Sequence, residues 1–107
     1  METEQTAAAR DVLAERERQI SAEGWTTEHD DEHGKGELSD AAACYALFWP
    51  FNAGKTAKPV PANFWPWSLE DWKPSDRRRN LVKAGALILA EIERIDRSLS
   101  PKAEPNQ

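Results

Sequence analysis

The apolar positions divide the chain into three helical stretches separated by two irregular ones. Ala7 to Ser21 is rich in strong helix formers, carries Ala9, Leu13 and Ile20 on one side, and is ended by Gly24. Trp25 to Gly36 is polar, acidic and flanked by glycines, which predicts an ordered or metal-dependent loop. A second helix is predicted from Glu37 or Ser39 to Phe48, capped by Ser39 or a residue just before it and closed by Pro50. Its packing face is Leu38, Ala42, Tyr45 and Phe48 or Trp49. The third helix, capped by Ser75 or Asp76, runs without proline from Arg77 to about Ser98. Leu81, Gly85, Ile88, Ile92, Ile95 and Leu99 recur along it at alternating steps of four and three residues, the stripe by which a helix packs on partner helices. Val82, Ala86 and Leu89 add a second stripe, so this helix is expected at the centre of the fold or in a subunit interface. Ala84, Gly85, Ala86 and Ala90 would let another backbone come close.

Between Pro50 and Pro74 the chain also holds Pro59, Pro61 and Pro66, which predicts an irregular excursion with a short helix at Ser68 to Trp72. Ser100 to Gln107, with Pro101 and Pro105, reads as a disordered tail, leaving residues 1–99 as a single domain. The expected fold is all-α, a small bundle of three main helices with a long Trp/Pro-rich loop. A chain of 107 residues leaves roughly a third of its unfolded surface exposed on folding, so a homo-oligomer is expected. The longest strongly apolar run, Ala84 to Ala90, is far short of the ~20 residues that cross a bilayer, which predicts no membrane span. A single cysteine, Cys44, and a charged rather than apolar N-terminal stretch predict a cytoplasmic protein.

The formal net charge of -5 hides an asymmetry. Residues 1–40 hold 12 acids and 4 bases, a net of -8, and the remaining residues hold 7 acids and 10 bases, a net of +3. An acidic chain repels a phosphate backbone unless its bases share one face, which argues against duplex nucleic acid as a partner and leaves a small anion open.

Four stretches carry candidate chemistry. Gly54-Lys55-Thr56 matches the end of a phosphate-binding P-loop, but Trp49 stands where that loop needs glycine and a helix precedes it instead of a strand. His29, Asp30, Asp31 and His33 form a candidate divalent-metal set, and the two histidines would share a face if the segment were helical. The same residues also fit a solvated acidic loop. Glu37 and Asp40, and Glu91, Glu93 and Asp96, could hold magnesium if the helices faced each other. For the last group, helix-surface pairs such as Glu93 with Arg97 are the better account. Finally, four of the five tryptophans lie between Trp49 and Trp72, followed by Lys73, Arg77, Arg78 and Arg79 at a predicted helix N-terminus. Aromatic plates beside bases at such an end suit a stacked base and its phosphate, with Trp25, Trp67, Trp72, Lys73, Arg77, Arg78, Arg79 and Lys83 as the ligand-binding set. The competing account buries the tryptophans as core and pairs the arginines with the acidic first half.

The string from Glu15-Arg16-Glu17-Arg18-Gln19 through Gly24-Trp25, His29-Asp30-Asp31, Glu37-Leu38 and Tyr45-Ala46 to Trp65-Pro66-Trp67, Trp72-Lys73-Pro74 and Arg78-Arg79-Asn80-Leu81-Val82-Lys83 resembles small phage and prophage proteins of unassigned function. The order of elements also resembles, remotely, MazG-type all-α nucleoside triphosphate pyrophosphohydrolases. That resemblance implies magnesium held by carboxylate pairs on two helices, yet the positions matching the second pair are Asn80 and Lys83. What it then implies is a nucleotide-sized pocket with positive charge in place of metal. The leading expectation is a phage-derived protein of the host cytoplasm that binds a nucleotide-like ligand without hydrolysis, sequestering a signal of host defence. Two alternatives stay open: a metal-dependent nucleoside triphosphate pyrophosphohydrolase, and a protein-binding inhibitor of a host defence enzyme.

Overall fold

The computed structural model describes residues 4–47 and 64–99. Within them the chain is helical and contains no strand. Helix α1 (Ala7–Ser21) begins where the Thr6 hydroxyl accepts the backbone N–H of Ala9 at 3.1 Å. It is followed by a short α2 (Thr27–Asp31), α3 (Glu37–Leu47), one 3-10 turn (Leu69–Asp71) and α4 (Arg77–Leu99). Gly24 and Gly36 have φ of 78° and 90°, so both chain reversals use the left-handed conformation that glycine adopts without strain. Phe48, Trp49, the Gly54-Lys55-Thr56 motif and the expected tail from Ser100 lie outside the described residues.

α4 is the centre and packs on α3, α1 and α2. The core lies between α3 and α4, where Leu38, Ala41, Ala42, Cys44 and Tyr45 meet Ala84, Leu87 and Ala90. Trp65 and Trp72 close one end of it. Their rings stand 4.9 Å apart, and Tyr45 lies 4.7 Å from Trp72 and 5.7 Å from Trp65. Trp65 Nε1 donates to the Ser68 carbonyl at 2.9 Å, and the Lys73 backbone N–H donates to the Tyr45 hydroxyl at 3.2 Å. The loop before α4 is thereby tied to α3.

Three expectations need correction. The segment Trp25 to Gly36 is not wholly loop, because Thr26 caps α2 by accepting the His29 N–H at 3.2 Å. The side chain that α2 buries is Asp30, so no apolar period marks this helix. α1 does not pack through Ala9 and Leu13, which are exposed; its buried residues are Glu15, Arg16 and Gln19. It docks on α4 through charge, pairing Asp11 with Arg78, Glu15 with Arg79 and Arg16 with Glu93. Val12 sits against Gly85, where an added Cβ would meet its methyl groups at 3.2 and 3.3 Å. Finally, apart from Gly85, the stripe expected to pack α4 faces outward within a single chain. Leu81, Ile88, Ile92, Ile95 and Leu99 are exposed, while Asn80, Val82, Ala84, Ala86, Leu87 and Ala90 are buried.

Candidate functional site

A cavity of about 460 Å³ opens between the end of α1, α2, α3 and the segment that leads into α4. This is within the ordinary range of about 300–1,000 Å³ for small-molecule pockets. One side is aromatic. Trp25 and Trp67 stand 5.7 Å apart at 52°, with His29 stacked on Trp25 and His33 5.3 Å from Trp67. The opposite side carries charge: Glu15, Glu23 and Asp71 against Arg18, Lys73 and Lys83. Three acids and three bases leave this wall close to neutral.

Most of that charge is internally matched. Arg18 bridges Glu15 through two 2.9 Å hydrogen bonds and Glu23 through another at 2.9 Å. Burial works against the Glu15 charge, but the hydrogen bond from Arg18 and the positive fields of Arg79 and Arg18 outweigh it and hold the carboxyl below its usual value. Lys83 goes the other way. Burial, reinforced by Arg79, pulls its ammonium below the ordinary lysine value, while its Nζ donates to the Lys73 carbonyl at 2.7 Å and lies 5.3 Å from the Tyr45 ring centre. Lys73 is exposed and its side chain makes no ion pair among the described residues. Among the described residues two polar atoms of lining residues, Gln19 Oε1 and Trp67 Nε1, are buried without a hydrogen-bond partner. Gln19 is 2% exposed, and its amide nitrogen donates to Glu15 at 3.2 Å, which fixes the amide in place.

The depressed Glu15 makes an acid-side prediction. Folded Glu15 binds its proton more weakly than the unfolded chain, so its contribution is complete above the ordinary value of 4.5 and is lost as pH falls below it. Thermal melting from pH 7 to pH 3 is expected to fall steeply through this window in the wild type and less steeply in Glu15→Gln.

The structure brings Trp25, Trp67, Lys73 and Lys83 to the cavity and places the rest of the expected ligand set elsewhere. Trp72 is core. Arg77 Nη1 donates to the Ala46 carbonyl at 2.7 Å, Arg78 pairs with Asp11 at 2.9 Å, and Arg79 pairs with Glu15. The helix N-terminus behind them is capped by Asp76. Asp76 accepts the Arg79 N–H at 2.8 Å on its carboxylate and the Asn80 N–H at 2.9 Å on its carbonyl. A capping carboxylate there repels the phosphate that the bare end would attract.

The four expected metal ligands do not converge either. Asp30 is fully buried and pairs with Arg16 at 3.0 Å, and Asp31 is turned to Arg97 at 2.7 Å. Among the described residues no group of three or more His, Cys, Asp and Glu side chains is arranged to hold a metal ion. Glu93 is bonded to Arg16 rather than to Arg97, and Arg94 pairs with Glu91 at 2.9 Å.

No family model, curated protein or solved structure matches this chain. The fit of the magnesium site implied by the MazG resemblance therefore rests on the donor set alone. Asn80 is fully buried and spends its amide on Ser75, accepting from its N–H at 2.7 Å and donating to its carbonyl at 3.0 Å. Lys83 is a cation bonded to a carbonyl. Neither can serve as an anionic oxygen ligand, so these residues do not fit that ion. The wall residues Glu15, Arg18, Gln19 and Glu23 were not part of the expected ligand set; the spacing of Glu15 and Gln19 by four residues along α1, carried on to Glu23 just past its end, is the signal that could have revealed them.

No helix among the described residues is long and apolar enough to cross a membrane.

Proposed function

We propose that the chain binds a nucleotide-like small molecule in this cavity and holds it without hydrolysis. The carrying observation is the Trp25–Trp67 aromatic wall in a cavity of about 460 Å³ that also holds the exposed cation Lys73. A base stacked on such an aromatic plate gains roughly 1–3 kcal/mol. The near-neutral charged wall favours the base and sugar over a polyphosphate, with Lys73 available to one anionic group. Sequestration of a nucleotide signal is the use that the resemblance to phage proteins suggests. The pyrophosphohydrolase reading would need a carboxylate pair where Asn80 and Lys83 stand.

Titration calorimetry with adenosine, guanosine and their mono- and triphosphates, with and without magnesium, tests this reading. The expected result is saturable binding in which a nucleoside or monophosphate binds at least as tightly as its triphosphate. Trp67→Ala should lose about tenfold, or 1.4 kcal/mol. Failure of all six compounds to bind, or release of pyrophosphate, would defeat it.

Self-association is the second part of the reading. Leu81, Ile88, Ile92, Ile95 and Leu99 are exposed along α4, from 38% at Ile95 to 74% at Leu99, and large apolar side chains left outside on one helix mark an interface. The alternation of three- and four-residue steps in this stripe suits helix-on-helix packing between two copies. Light scattering is expected to show a dimer or tetramer for the wild type and dissociation for Ile88→Asp. A monomeric wild type would remove the interface.

A further inference from the structure

His29 and His33, the two histidines of the chain, both stand in the cavity wall with their Nε2 atoms 3.5 Å apart. A carboxylate lies behind each ring. Asp30 Oδ1 is 3.3 Å from His29 Nδ1, and Glu37 Oε2 is 4.0 Å from His33 Nδ1. A carboxylate at Nδ1 favours the proton on that nitrogen and leaves Nε2 as the lone-pair atom. Two lone pairs facing each other at this separation repel unless a proton or a cation lies between them. Two imidazole nitrogens, each about 2.0–2.1 Å from a tetrahedral ion, stand about 3.3–3.4 Å apart. The pair already has that bite.

The rings are also held in place. Asp30 is fully buried and anchored by Arg16 at 3.0 Å. Trp25 lies parallel to the His29 ring within 5°, and Trp67 packs beside His33 at 5.3 Å. Ligands fixed by packing and by hydrogen bonds to their far side are what a metal site requires.

We infer that His29 Nε2 and His33 Nε2 chelate a late first-row divalent ion such as Ni²⁺ or Zn²⁺, with its other coordination positions open to the cavity. Imidazole selects these ions, whereas Mg²⁺ prefers oxygen donors. The set differs from the one the sequence suggested: Asp30 and Glu37 stand behind the rings, and Asp31 is engaged with Arg97. With two protein ligands the ion is exchangeable and offers positions to water or to a donor atom of a bound molecule.

Calorimetry with NiCl₂ or MgCl₂ on the untagged full chain, alongside tryptophan fluorescence, tests the inference with metal alone and so independently of nucleotide binding. One Ni²⁺ per chain is expected, quenching the fluorescence of the adjacent Trp25 and Trp67, with no binding of Mg²⁺. His29→Gln and His33→Gln should each weaken Ni²⁺ binding at least about tenfold, a loss of the size that even outer-shell changes produce. Asp31→Asn should keep the wild-type affinity. Circular dichroism checks that each variant is folded. Absence of saturable Ni²⁺ binding up to millimolar metal, wild-type affinity in either folded histidine variant, or equal weakening by Asp31→Asn would overturn it.

Discussion

Trp72→Ala is expected to lower the free energy of unfolding by about 3–5 kcal/mol, the range for removing a large aromatic from a core. Trp72 is 9% exposed and packs its ring against Tyr45 at 4.7 Å and Trp65 at 4.9 Å. No neighbouring element can collapse easily into the gap, because Tyr45 is fixed by the Lys73 N–H and Trp65 by the Ser68 carbonyl. A domain of this size holds roughly 5–15 kcal/mol in total, so the variant should be close to unfolded at physiological temperature. Equilibrium urea unfolding measures the loss directly. Trp67→Ala is the contrasting case: its ring is only partly buried against the core, so it should stay folded while ligand binding weakens about tenfold. A Trp72 variant as stable as the wild type would contradict the assignment of this side chain to the core.

Asp30→Ala is expected to be about as costly, again about 3–5 kcal/mol, by a different route. Asp30 and Arg16 are both buried and meet at 3.0 Å, and Arg16 otherwise has Glu93, which bonds its Nε at 3.1 Å and its Nη2 at 2.9 Å. Removing the carboxylate leaves the buried guanidinium with only the half-exposed Glu93 as counter-charge, its Nη1 being without a partner among the described residues. The loss comes mainly from this poorly compensated charge, so replacing both residues with apolar ones, Arg16→Met with Asp30→Leu, should recover most of it. The same urea measurement decides, and a double variant as unstable as Asp30→Ala would show that the pair itself, rather than charge burial, holds α1 and α2 together.

These two sites show where the sequence was legible and where it was not. The limits of α1 were readable from its run of strong helix formers and the Gly24 that follows, and the start of α4 from the capping candidates Ser75 and Asp76, of which Asp76 accepts the Arg79 N–H. The apolar face of α3 was readable at Leu38, Ala42 and Tyr45 for the ordinary reason that core helices bury apolar stripes. α2 was not, since the one side chain it buries is an aspartate. The docking face of α1 was missed for the same reason: it buries Glu15, Arg16 and Gln19, and Glu15 and Arg16 pair with charges 64 and 77 residues away, which no local period records. The α4 stripe illustrates the converse. Its periodicity was visible, but periodicity says that a face is apolar and not which surface covers it.

The candidate site divides along the same line. The tryptophan-rich segment and the histidine loop were recognisable as unusual, and the fold brings Trp25, His29, His33 and Trp67 into one wall. Which tryptophan lines the cavity and which fills the core depends on the turn of one short segment: Trp65 and Trp72 point inward, and Trp67 lies between them in sequence yet reaches the cavity. The three consecutive arginines had the composition of a phosphate site, but long-range acids claim Arg78 and Arg79 and a backbone carbonyl claims Arg77. Composition identifies such groups, whereas three-dimensional pairing decides whether they remain available.

Nuclear magnetic resonance of the tryptophan indole N–H groups tests the central claim most directly, because each indole reports its own surroundings. The uniformly ¹⁵N-labelled chain would be titrated with adenosine and guanosine monophosphates, and the indole signals assigned by single Trp→Phe substitutions. The account predicts that at least one nucleotide shifts the Trp67 and Trp25 signals, whose rings line the cavity, while the Trp65 signal, already bonded to Ser68, stays in place. Spectra in which neither nucleotide moves the Trp25 and Trp67 signals would contradict it.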